Sequence, residues 1–203
     1  MIRPVAVAAL VLVALTVPAS AQPKPDPDWP CIQRKVPVLA AGTIWSGPNL
    51  DEAGRWASDS EAAALAQKLA SRRTPIEDFG GLVEEFAKQA GPDKAMRLTR
   101  VFAGALELIN TERQRVISGI ERYARGQRGF AERIREAADK ITAVKDSPAA
   151  PTPKEFEDLE RRFAWDKRIF EERAQALQYV CETPVLLEQR LYEIARQLQA
   201  RLS

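Results

Sequence analysis

The chain has 203 residues with 30 basic and 28 acidic side chains, no histidine and a net charge of +2. So even a balance gives no general attraction to nucleic acid or to an anionic membrane, and a charge-driven partner has to be met by a local patch. The missing imidazole removes Ser-His-Asp and Cys-His nucleophiles, histidine-held zinc or copper and His-ligated haem, leaving carboxylate-only chemistry such as glycoside cleavage as the enzymatic class still open.

Residues 1–21 read as a signal peptide. Arg3 gives a positive start, residues 6–17 form a short apolar run, and Ala19-Ser20-Ala21 is an A-x-A cleavage site. The run is shorter than the roughly 20 residues a membrane span needs, and no second one follows, so no transmembrane anchor is expected. Cys31, the first cysteine, lies past the cleavage site, which argues against a lipid anchor. The expected destination is the periplasm, with full secretion as the alternative. Without Arg3 the mature chain carries 29 basic against 28 acidic side chains.

Residues 22–57 form an irregular arm, punctuated by Pro23, Pro25, Pro27, Pro30, Pro37 and Pro48 and by Gly42, Gly47 and Gly54. Three of the four tryptophans, Trp29, Trp45 and Trp56, fall within it. Rings of that size in a linker-like segment are expected to fasten it by burying apolar area against the helices. The functional alternative is an aromatic platform for a small ligand or glycan, with Asp26 and Asp28 as acceptors. Cys31 and Cys181, the only cysteines, are expected to form a disulfide in an oxidising compartment. The bridge closes a 150-residue loop, for which chain entropy gives at most about 5 kcal/mol.

From residue 58 the pattern is helical to the end. Ser58 or Ser60 can cap a short helix to about Arg72, with Ala62, Leu65, Ala66 and Leu69 on one face. Thr74-Pro75-Ile76-Glu77 has the form of a capping box with proline at the first helical position. It opens a second helix striped by Phe79, Leu82, Val83 and Phe86, which ends at Gly91. Over 93–145, Phe102, Ile109, Val116, Tyr123, Phe130, Ala137 and Val144 recur every seven residues, with Leu106, Ile120, Ile134 and Ile141 interleaved. That is a coiled-coil seam about 80 Å long. Gly126 and Gly129 are its weak point. A proline-rich turn at 147–153 leads to another capping box, Thr152-Pro153-Lys154-Glu155, and to a second seam of Phe156, Phe163, Phe170, Leu177, Leu191 and Leu198. Its register passes through Pro184, which predicts one kinked helix.

Two long helices joined by a short loop must lie antiparallel. The expected fold is therefore all-α: a long antiparallel coiled-coil hairpin, with two shorter helices making a four-helix bundle at its base, preceded by the irregular arm. The helical domain spans 58–203 and its distal hairpin about 123–177. Gln127, Asp166 and Arg173 interrupt the distal seam, and an Asp166 to Arg133 ion pair is expected there. Outward on the first long helix, Arg115, Arg122, Arg125, Arg128 and Arg135 form a basic stripe offset by Glu121 and Glu132. It is a candidate surface for an acidic protein or an anionic envelope surface; its plainer reading is a solvated face with pairs such as Glu121 to Arg125. Carboxylate pairs such as Glu84 with Glu85 and Glu171 with Glu172 sit on helical segments and read as solvated. No catalytic residue, metal site or cofactor is expected, nor nucleic acid. The resulting expectation is a non-catalytic exported envelope protein that binds another protein as adaptor, scaffold or chaperone-like factor; the alternative is a small-ligand or glycan binder using the Trp-rich arm.

Overall fold

The computed structural model describes residues 26–145 and 152–202. The segment 1–21 expected to be a signal peptide and most of the turn at 147–153 lie outside the described residues. Among those described, the regular elements are all helical, with no strand: α1 (Ser60–Ala70), α2 (Phe79–Gln89), α3 (Lys94–Lys145) and α4 (Pro153–Gln199), with two 3-10 turns in the arm before α1 and one each between α1 and α2 and between α2 and α3.

Asp59 caps α1, its side chain accepting the Ala62 N–H at 3.0 Å, so the cap falls between the two serines expected to supply it. The buried face is Ala62, Leu65, Ala66 and Leu69, and the helix ends at Ala70 rather than near Arg72. The expected box at Thr74 does not form. The Thr74 hydroxyl donates instead to the Lys68 carbonyl at 2.7 Å, and Pro75 stays extended with ψ 144°. A 3-10 turn at Ile76–Asp78 intervenes, so α2 starts only at Phe79. Gly91, at φ +61°, makes the turn that follows α2; only glycine takes that conformation without strain.

α3 runs unbroken for 52 residues, about 78 Å, straight through Gly126 and Gly129. α4 opens with the complete Thr152–Glu155 capping box and continues through Pro184 to Gln199. Pro184 lacks the N–H that would pair with the Val180 carbonyl, yet the helix goes on because its C-terminal half is held by packing.

The two long helices are antiparallel. Phe130 meets Phe170 edge to face with centroids 6.3 Å apart, the Tyr123 hydroxyl donates to the Arg173 carbonyl, and Lys145 pairs with Glu160. At the base, Leu98, Phe102, Ile109, Leu187, Leu191 and Ile194 share one core with α1 and α2. Each such side chain is almost fully buried, worth about 1.5–3 kcal/mol before entropy. Burial thins along the hairpin: α4 has no buried side chain before Cys181, and past Ala124 α3 buries only Phe130 and Ile141. The bundle therefore carries the stability and the distal helices extend from it.

Two buried arginines tie the pieces together. Arg190 of α4 donates to the carbonyls of Leu69 and Thr74, both at 3.0 Å, and its guanidinium lies 5.2 Å from the Phe79 ring centroid. It thus satisfies an orphan carbonyl at the C-terminal end of α1 with a cation, where the helix dipole favours one. Arg113 of α3 is 2 % exposed and donates to the Pro184 carbonyl of α4 and to the Val36 carbonyl of the arm. Its Nε has no partner.

Candidate functional site

The arm follows one side of α3. Leu39 exchanges backbone bonds with the Asn110 side chain, at 2.8 and 3.1 Å, and Val36 meets Arg113. Further along, Lys35 pairs with both Asp26 and Glu121. Cys31 and Cys181 lie at disulfide distance, with Cα atoms 5.5 Å apart, and so join the arm to α4 at the boundary between bundle and hairpin.

Asp28 then receives Arg125 at 2.7 Å and Arg128 at 2.5 Å, and Arg128 also donates to the Pro27 carbonyl. These contacts, first the bond from Arg125 and then that from Arg128, hold the Asp28 carboxyl below its ordinary pKa. Two members of the arginine stripe are therefore engaged by the chain itself, and Asp26 and Asp28 bind its cations rather than standing open as acceptors. The Glu121 to Arg125 pair is absent, because Glu121 turns to Lys35. Arg115 pairs within its helix to Glu112, while Arg122 and Arg135 are exposed. Arg133 forms no ion pair with Asp166. Its guanidinium and that of Arg173 lie instead 4.8 and 5.4 Å from the Phe130 ring centroid, where the ring face offers the attraction a carboxylate was expected to give.

The three tryptophans of the arm are spread along α3. Trp45 stacks on Phe102 with centroids 4.4 Å apart and planes 9° from parallel. Trp56 packs on Gly104, where an added Cβ would lie 2.9 Å from the ring, and its N–H donates to Glu107. Trp29 sits beyond them, its N–H on the Gln33 carbonyl, beside Arg113 and Cys181.

Sequence reasoning missed a groove on the other side of the seam. At about 100° per residue, Gly119, Tyr123 and Gly126 point away from the arm's partners Arg125 and Arg128. Two adjoining clefts of about 390 and 400 Å³ share Gly119 and Tyr123 and form one furrow between α3 and α4. Its apolar lining includes Val116, Ile120, Leu177, Val180 and Phe130. Four arginines, Arg72, Arg122, Arg133 and Arg173, edge it, and no carboxylate lines it. None of these four makes an ion pair among the described residues. Burial, and next the nearby charge of Arg72, push the Arg190 pKa down. The signals were in the chain: Gly119 and Gly126 are one heptad apart beside the seam, and arginine stands at 122, 133 and 173.

Among the described residues no group of three or more Cys, Asp or Glu side chains is placed to hold a metal ion. No described helix is long and apolar enough to cross a membrane. The chain matches no family model, no curated protein and no solved structure.

Proposed function

We propose that this chain is a non-catalytic exported envelope protein, periplasmic by its signal sequence, that works by binding another protein as an adaptor, scaffold or chaperone-like factor. The distal hairpin is the element that reaches the partner. The observation supporting this reading is the stretch of α3 and α4 beyond the bundle. From Tyr123 to Lys145 it continues for about 33 Å, with α4 and the start of the arm as its described neighbours. So few side chains are buried there that folding stability does not account for its length. A two-helix rod on a compact base presents surface at a distance. The cysteine pair fits an oxidising compartment.

The test removes residues 126–170 and closes the hairpin with a short loop. The bundle core lies outside the deletion, so circular dichroism should show a cooperative melt. Crosslinking in intact cells then compares the two proteins. Loss of the partners of the full-length chain supports the distal hairpin as the contact element, and retention of all of them refutes that assignment.

A further inference from the structure

The furrow between α3 and α4 has the dimensions and charge of a site for a helix. We propose that it receives an acidic amphipathic helix of the partner protein; this rests on the protein-binding reading above and names the surface and the chemistry it selects. The furrow follows α3 from Val116 to Arg133, 18 residues or about 25 Å, the length of roughly five helical turns. Helices enter such grooves by their apolar face, reading as anchors at i, i+3, i+4 and i+7. Val116, Ile120, Leu177 and Val180 supply the floor, and Val180 is 45 % exposed, an apolar side chain left to water without a packing reason.

The glycines point the same way. An added Cβ at Gly126 would meet nothing within 4 Å, and at Gly119 only the far end of the Arg122 side chain at 4.0 Å. Neither glycine is required by this chain's own packing, yet each costs a helix interior up to about 1 kcal/mol. Contrast Gly104, where Ala66 and Trp56 leave no room for a methyl group. Bare backbone on the furrow lets an incoming helix approach closely.

Charge chooses among the occupants. On the arm side Asp28 neutralises Arg125 and Arg128, whereas the furrow's four arginines face no carboxylate. They are spread along its length, with Arg72 toward the bundle, Arg122 midway, and Arg133 and Arg173 toward the tip. A single anionic headgroup on an acyl chain would engage one end only, while glutamates along a helix flank would meet them all. A second copy of this chain would bring arginine edges together about a two-fold axis, so like charge opposes it.

A photoreactive p-benzoylphenylalanine placed in the full-length chain at Tyr123, and separately at Val180, tests this in intact cells. Lys167, outside the furrow, serves as the comparison. Mass spectrometry of the crosslinked peptide should find a partner segment with a helical apolar repeat and an excess of Asp and Glu. Gly119→Leu with Gly126→Leu, which fills the furrow and favours the helix, should cut the furrow crosslink about tenfold with an undiminished circular-dichroism melt. The crosslinked segment, made as a labelled peptide, should bind about tenfold more weakly to Arg122→Glu/Arg173→Glu and should weaken with salt. Crosslinks to lipid, to a second copy or to a segment without acidic excess overturn the proposal, as does unchanged binding by either double variant. A partner captured at Lys167 but never in the furrow overturns it while sparing the protein-binding reading. No protein at any of the three positions overturns both.

Discussion

Replacing Arg113 by methionine should leave stability within about 1 kcal/mol of the parent, whereas Arg113→Ala should cost about 4 kcal/mol or more. The guanidinium is 2 % exposed, and burial drives its pKa down. Its gains are the bonds to the Pro184 and Val36 carbonyls, about 1.5–3 kcal/mol each for a charged donor. Against them stand several kcal/mol for taking the charge out of water and about 1–3 for the unpartnered Nε, with the nearest carboxylate, Glu188, 3.9 Å away. These nearly cancel, so an apolar side chain of similar length loses little. Alanine fills far less of the space, leaving a cavity as well as the lost bonds. Urea denaturation followed by circular dichroism, with the cysteine pair oxidised, measures both. If the methionine variant lost more than about 3 kcal/mol, the two bonds would outweigh the desolvation and the balance drawn here would be wrong.

Acid should weaken the base of the bundle through Asp59. The bond from Arg97 at 2.8 Å leads in lowering its pKa from 3.8 to about 2. A depressed folded pKa means the contribution is whole above pH 4 and disappears as pH falls toward 2. The loss is about 2 kcal/mol, and Asp59→Asn should flatten that part of a stability-against-pH curve. Reducing Cys31 and Cys181, or changing both to serine, should lower the urea midpoint by an amount worth no more than about 5 kcal/mol. Arg125→Glu with Arg128→Glu should free residues 26–30 and shift Trp29 emission, while the global melt loses less than about 1 kcal/mol, since both pairs are exposed. Gly104→Ala should destabilise by about 1–3 kcal/mol and Gly126→Ala should stabilise by up to about 1, read from matched thermal melts. Results of the same sign for the two glycines would contradict their placement.

Periodicity made the long helices readable because every turn of α3 and α4 repeats the same instruction. Phe130 could be set against Phe170 from the loop position alone. Local signals fared less evenly. Thr152 caps as its motif implies, whereas the similar residues at Thr74 do not, since the preceding Lys68 carbonyl captures the hydroxyl. A helical wheel also assigns a residue to a face without saying what lies upon it. Arg125 and Arg128 read as outward and are outward, but Asp28, 97 and 100 residues away, is there to meet them. Arg113 occupies a vacant slot in the interleaved seam positions, a substitution that periodicity flags as an interruption but that only the arm and Pro184 explain. The furrow was hidden for the same reason, being made by what the arm leaves uncovered.

The attachment of the arm to α4 also orders events in time. A chain that emerges from its N-terminus presents Cys31 long before Cys181, 150 residues later. Until then its thiol has no partner in its own chain, and the same delay holds elsewhere: Arg113 lacks the Pro184 carbonyl, and the Leu69 carbonyl lacks Arg190. The earliest segment is thus fastened by the last helix to appear. A protein built this way can pack α1 and the arm's tryptophans against α3 early, but its arm stays untethered and its core open on one side until α4 arrives to close both.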